Sequence, residues 1–516
     1  MIKKLCIFLG VVFCAIHANA QYLDSTFGTY GIVNTTFVNG SAEHCAAIVR
    51  QPDNKIIAGG YSQPPGGIGQ FVLARYDTSG LLDNSFGTGG KIMVPNSGID
   101  NRLNGVALQS DGKILAVGTA LTAPFSPWST LLVRYNANGT IDNGFGTNGR
   151  VTTQVGTKCD AYKILIQPDG KILLCGTQYD DSYYILVRYN ANGTIDNSFG
   201  TNGIVQFGEF GTGVSMALQP DGKILVSGEF WGTVVLNGPH SGVARHNADG
   251  TKDLSFGMNG VCYLAAPGAV QGDNMWGGHD LKVLPNGKIL VSVFYNSASI
   301  AQRPAIVRLT SSGQKDLSFG VNGFATTSHM SFNAKAEKMA IQQDGKILLV
   351  GSIQSSGKDS FYVSRFDTSG APDITFGNAG RMSVRLDANG DNANDVLLQP
   401  NGKFIVGGAQ GVGAAGKRFS LMRYRYAPQG PNKLNEITVA NSVIVFPNPA
   451  TDELHINMDD LKSAKIVIYD MAGRVVRNKM LPSPDGRVDV RGLAPGTYVV
   501  RVREKDFEKQ QVFEKR

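Results

Sequence analysis

One unit recurs seven times along this chain, and equal units can only stack in a line or close into a ring. The hairpin signal QPDGKIL marks each copy by its lysine: Lys55, Lys113, Lys171, Lys223, Lys288, Lys346 and Lys403. Successive lysines lie 58, 58, 52, 65, 58 and 57 residues apart. A Phe-Gly pair gives a second series, Phe27, Phe86, Phe145, Phe199, Phe256, Phe319 and Phe376. An apolar run ending in arginine gives a third: Arg75, Arg134, Arg188, Arg245, Arg308, Arg365 and Arg423.

Four strand signals fill one copy. In the third they are VTTQV (151–155) after the Phe-Gly turn, AYKILIQ (161–167), KILLCG (171–176) and YYILVRY (183–189). Asp169-Gly170 between apolar runs predicts a tight hairpin with both central residues at positive φ. Four strands in about 58 residues is the proportion of a propeller blade. Closing seven blades leaves only short, protected edges. The expected fold is all-β: a seven-bladed β-propeller, with a β-solenoid of shorter coils as the alternative. The 64 glycines and only 17% charged residues suit such a turn-rich chain.

The ends read differently. Residues 1–20, MIKKLCIFLGVVFCAIHANA, have the basic start, apolar run and Ala-Asn-Ala close of a signal peptide cleaved before Gln21. No later run is long enough for a transmembrane helix. The formal charge of +7 drops to +5 once Lys3 and Lys4 leave, and no basic cluster points to nucleic acid. Cys45, Cys159, Cys175 and Cys262 remain, scattered through a chain too large to need a disulfide framework. Counted from an Asp-Gly turn, Cys175 should face Ile164, too far from Cys159 to be bridged. The repeats span 21–426, a linker rich in Pro, Gly and Asn spans 427–442, and unrelated short β runs of a small Ig-like sandwich fill 443–516.

The combination LDxSFGxxGxV, QPDGKILVxG and xLxRYNxxG resembles the delta-60 repeat family of bacterial surface and secreted proteins, from Leu23 to about Tyr426. The C-terminal stretch resembles the type A (Por) sorting domain of the type IX secretion system. Its motifs are Pro447-Asn448-Pro449, Tyr469-Asp470 with Gly473-Arg474, Gly496-Thr497-Tyr498 and the basic end Lys515-Arg516. That resemblance implies export through the inner and then the outer membrane, with type IX machinery as partner of 443–516. The sorting domain would then be removed and the passenger left at the cell surface or released.

No local motif carries chemistry well. The link NANGTIDNSFGTNG (190–203) has the look of a shortened calcium loop, but it offers about one carboxylate where calcium takes six to eight oxygens. An Asx-turn needs only the short polar side chain. Its closing aspartate, Asp196 here, is suited to cap the Phe-Gly turn or to pair with the strand-end arginine. Asp387, Asp391 and Asp395 form a weak alternative metal set; otherwise no cofactor is expected. GFGTNG (144–149) lacks the strand-turn-helix setting of a dinucleotide loop. The histidines are dispersed, and GVSMA (213–217) is a poor nucleophile elbow.

Strand alternation separates two faces. The PDGK turns and the NANGTIDNSFG links share one face and hardly vary, whereas the other connections differ in length and content. Individuality can be built only on the variable face. Trp128, Trp231 and Trp276, with Phe125, Phe230 and Tyr295, fall in its connections and are the expected ligand-binding residues. No catalytic residue is nominated. The functional expectation is non-covalent recognition of a glycan or protein outside the cell. The alternatives are an extracellular hydrolase or lyase on the same scaffold, or a surface component without a pocket.

Overall fold

The computed structural model describes residues 22–425 and 443–515, apart from 95–99, 122–126, 209–210, 232–238, 265–273, 298–299, 328–332, 356, 387–389, 412–415, 447–449, 459–463, 471–472, 482–484 and 505–506. The signal peptide (1–20) and the linker (427–442) lie outside the described residues. The chain divides into two compact units, with the boundary in sequence between Gln429 and Gly430.

The first unit holds seven four-stranded antiparallel sheets. Blade three is typical, with strands Cys159–Ile166, Ile172–Gln178, Tyr183–Tyr189 and Ile204–Phe207 in that order. The first strands of successive blades pack against one another all the way round, so they are innermost and surround a common axis. The strand after each Phe-Gly turn is therefore the outer strand of the preceding blade. Repeat and blade are out of phase by one strand, and the reason is closure. Ile32–Thr35, near the start of the chain, pairs with Lys417–Tyr424 and completes the seventh sheet.

The hairpin turn is not the one expected. The Gln167 amide donates to the Lys171 carbonyl at 2.8 Å and the Gly170 amide to the Gln167 carbonyl at 2.9 Å. Gly170 has φ +83°, and Asp169 is not at positive φ. Pro168 presets the first corner of a type I turn, and Gly170 supplies the left-handed residue that closes a three-residue loop. The register moves by one, so Cys175 faces Lys163 rather than Ile164. Cys45, Cys159, Cys175 and Cys262 are all buried free thiols.

The link NANGTIDNSFGTNG is a joint between blades. Asp196 accepts from Arg188 Nε at 2.7 Å and Lys171 Nζ at 3.0 Å through Oδ2, while Oδ1 caps the amide and hydroxyl of Ser198. The Arg188 guanidinium lies over the Phe199 ring, 4.3 Å from its centroid, and reaches the Ala248 carbonyl of the next blade at 2.6 Å. Gly193, at φ +89°, lies on Phe145 of the previous copy; a Cβ there would come within 2.9 Å of the ring. Every blade repeats the aspartate with its arginine and lysine, Asp24, in the segment before the closing strand, serving Arg423 and Lys403. All seven phenylalanines are fully buried, each beneath its arginine.

The second unit has a three-stranded sheet (Val443–Phe446, Glu453–Met458, Asp485–Asp489) and a four-stranded one (Ala464–Asp470, Val475–Leu481, Gly496–Glu504, Phe507–Lys515). Leu454 and Val488 of the first meet Ile466, Ile468, Val500, Val502 and Phe513 of the second in one buried core.

Two outcomes follow. Burial alone would raise the link carboxyls, but hydrogen bonds from the neighbouring Ser or Thr, Lys and Arg outweigh it and hold them below the usual carboxylate range. Their contribution is complete above about pH 4 and fades as pH falls through the depressed values. Asp196→Asn should cost about 3–5 kcal/mol by leaving Arg188 unpaired. In urea titrations the cost should be present at pH 7 and shrink below pH 3. Deleting residues 22–35 should unfold the ring rather than trim it, read as loss of the cooperative thermal transition.

Candidate functional site

The inner strands point their free positions at the axis. Each carries a β-bulge near its middle, for example between Ala161 and Lys163, and between Ala393 and Asp395. The residue just after the bulge is Ala47, Gly105, Lys163, Ser215, Asp280, Lys338 or Asp395 in blades one to seven. Matching register in sevenfold packing makes these positions one ring. Lys163 lies within electrostatic range of Lys282, Asp280, Lys338 and Asp395, which come from three other blades.

The ring is electrostatically uneven. Asp280 is wholly buried; its Oδ2 meets the Met339 amide of the next blade at 3.0 Å and Lys282 Nζ at 2.9 Å. Its Oδ1 takes the Ser215 hydroxyl of the previous blade at 3.2 Å, so the serine of GVSMA is a stitch and no nucleophile elbow. Asp395 accepts from the Ile48 amide of blade one at 2.8 Å. Burial, then the ammonium groups of Lys282 and Lys338, push Lys163 down to about 8 against the pull of Asp280 and Asp395. Burial also raises the Asp395 carboxyl, with Lys163 and Lys338 opposing.

Toward the variable face the inner strands carry a second tier. His44 Nε2 is approached by the amide groups of Asn392 and Asn394 at 3.3 and 3.2 Å, and its ring stacks on Tyr61 at 5.2 Å. Arg102 lies over the other aromatic, 5.7 Å from the Tyr61 centroid. Burial, with Lys417 and Arg102 nearby, pushes His44 down to about 4, so it is neutral and Nε2 accepts. In blade three, Asp160 takes Thr119 Oγ1 of blade two at 2.5 Å and the Tyr179 hydroxyl at 2.9 Å, and Tyr162 bonds Tyr179.

The residues expected to bind divide among these settings. Trp128 opens the strand Trp128–Tyr135, edge-on to Tyr179 at 5.9 Å and with Lys158 over its ring at 5.7 Å. It is partly exposed, beside the Asp160 network. Phe230 is fully buried between Tyr184 and Phe207 and serves the core. Tyr295 stands edge-on to Phe324 at 6.0 Å, against the blade-five core. Trp231 ends the strand Ile224–Trp231, and Trp276 lies within the inner strand Asn274–Val283 and not in a connection. The side chains of both, and the whole of Phe125, fall outside the described residues. Of the acidic trio, Asp391 and Asp395 are committed to different partners. Asp387 lies outside the described residues, Asp395 faces the axis, and Asp391 is spent on the Leu386 and Gly411 amides. Among the described residues no three His, Cys, Asp or Glu side chains are grouped to hold a metal.

The family comparisons fall on this architecture. The domain of unknown function (DUF5122) β-propeller matches six segments, 51–86, 109–145, 167–199, 219–256, 284–319 and 342–376. Each runs from a hairpin glutamine or its equivalent to a Phe of a Phe-Gly pair. The seventh copy is split between the two ends of the propeller, which a contiguous match does not span. The secretion system C-terminal sorting domain matches 444–513. The chain is a DUF5122 β-propeller carrying a type IX sorting domain.

The sorting domain directs this propeller to the cell exterior through the type IX machinery. Of its expected motif, Gly473 turns at φ +79° so that Arg474 Nε meets Asp470 at 2.8 Å, and the Tyr498 hydroxyl, just after Gly496, donates to the Ala494 carbonyl. Pro447, Asn448 and Pro449 lie outside the described residues. No helix among the described residues is long and apolar enough to cross a membrane. No curated protein matches the propeller in sequence. Among solved structures, a protein of unknown function from Dyadobacter fermentans is 11% identical, with TM-score 0.45, covering 77% of this chain and 98% of its own. The polysaccharide lyase Uly1 is 14% identical, with TM-score 0.43 and coverages of 76% and 92%. The β-propeller domain of the Trilobed protease from Pyrococcus furiosus, of open velcro topology, is 10% identical, with TM-score 0.39 and coverages of 76% and 99%. Likenesses this distant carry nothing about activity.

The axial lysine has a pH signature. Its folded pKa, depressed from 10.5 to about 8, means that the folded state bears a cost below pH 8 that is relieved as pH rises toward 10.5. Lys163→Met removes the titration. The variant should be more stable than the native chain at pH 7, and the gap in urea midpoint should narrow between pH 8 and 10.5; a gap constant with pH contradicts this.

Proposed function

We propose that this secreted propeller binds a glycan non-covalently at the axial mouth of its variable face. The carrying observation is the pairing of aromatic faces with fixed polar groups around that mouth. Trp128 and Tyr179 adjoin Asp160 and Tyr162, and the His44–Tyr61 stack adjoins Asn392, Asn394 and Arg102. Sugars need this combination, an apolar platform for C–H faces and oriented donors and acceptors for hydroxyls.

Proton-transfer chemistry is poorly served by the same groups. A general acid or base works best with a pKa near the ambient pH. His44 is held near 4, and burial pushes Tyr162 up to about 12 and Tyr179 higher still. Binding therefore outranks hydrolysis or elimination, and a platform of this kind outranks a featureless surface component.

Glycan-array binding by the secreted protein should fall at least tenfold with Trp128→Ala and with Tyr179→Ala. Phe230→Ala should act through stability alone. Binding unchanged in both mouth variants refutes the assignment, as does turnover of a bound glycan.

A further inference from the structure

The axial ring holds charge that the scaffold does not need. At the position after the bulge, blades one, two and four manage with Ala47, Gly105 and Ser215, whereas blades three, five, six and seven carry Lys163, Asp280, Lys338 and Asp395. The two aspartates are accounted for, since each accepts an amide of the following blade and so stitches two blades together. Asp280 is further occupied by Ser215 and Lys282.

The lysines are not accounted for in this way. Lys338 donates to the His279 carbonyl at 3.2 Å and has two further protons to give. Lys163 has no hydrogen-bond acceptor and no carboxylate within ion-pair distance among the described residues. With Lys282 the ring bears three positive and two negative groups, a surplus of one. Lys163 is half-buried, and even a partial withdrawal of an ammonium from bulk water without a partner has a cost. The other blades show that a small residue fits this position, so Lys163 costs stability that a substitution to Ala or Ser would recover. Such a residue is characteristic of a binding site.

We propose that the axial ring is an anion site in which Lys163 and Lys338 bind a carboxylate or sulfate group. The site stands independently of the glycan reading. Its occupant is either a free small anion or the acidic substituent of a sugar docked at the mouth, and the chemistry at the two ammonium groups is the same. Lysine presents a point charge with no planar fork, which suits a single anionic group.

The test is calorimetric titration of the full secreted chain in low-chloride buffer with sodium sulfate, glucuronate, a glucuronate-containing oligosaccharide and neutral glucose. Saturable one-site binding of the anions and not of glucose is expected, weakened at least tenfold by Lys163→Ser and by Lys338→Ala. Trp128→Ala should leave the free anions unaffected. Binding confined to the oligosaccharide, lost in Lys163→Ser, places the site under a docked sugar; binding of sulfate or glucuronate alone makes it a free-anion site. If the mouth variants abolish neutral glycan binding while anion binding fails everywhere, the ring proposal falls and the glycan reading stands. Lys163→Ser copies blade four, and its thermal midpoint in anion-free buffer should equal or exceed that of the native chain. The native midpoint should rise with glucuronate and the variant's should not; equal rises overturn the proposal.

Discussion

Everything in the propeller depends on one aspartate met by an arginine and a lysine. Asp196 ties the hairpin through Lys171, the third strand through Arg188 and its own turn through Ser198. Arg188 then covers Phe199 and crosses to the Ala248 carbonyl of the next blade. A surface ion pair would contribute little. Here the arginine side chain is only 7% exposed and the aspartate 9%, so the interaction is worth keeping and costly to break. Because the same joint serves all seven blades, the constant face is fixed and the axial and variable positions are released for other uses.

The joint also explains why the link resembles a metal loop without needing a metal. Its asparagines make Asx-turns, as when the Thr194 amide donates to Asn192 Oδ1 at 3.0 Å. Its carboxylate is already saturated by two cations and a serine. The aspartate that looked like the last ligand of a calcium loop is the centre of a cation cluster.

The blade count, the antiparallel order and the division into faces were readable because the repeat states them seven times. The turn type was not, since Pro-Asp-Gly and Asp-Gly hairpins share letters and differ by one residue of register; Pro168 was the signal for the longer loop. Aromatic residues misled in part, because Phe230 has the same sequence setting as a surface residue and yet fills the space between Tyr184 and Phe207. The axial ring was missed although its signal was present. Aligning the copies on the hairpin, the residue four places before its glutamine or equivalent runs Ala, Gly, Lys, Ser, Asp, Lys, Asp. Charge in an otherwise apolar strand column marks it. What no single copy could show is that the seven positions meet.

Closure by the N-terminal strand orders events in time. Ile32–Thr35 is made first, yet its place in the seventh sheet exists only after Lys417–Tyr424 has emerged. Until then its hydrogen-bonding groups have no partner, and the ends of the ring expose two strand edges that invite pairing with other chains. Joining segments almost 400 residues apart adds only a slowly growing entropic cost, but it must be met before any contact rewards it. The ring is therefore a late product, and a chain intercepted early is six sheets with its first strand still waiting.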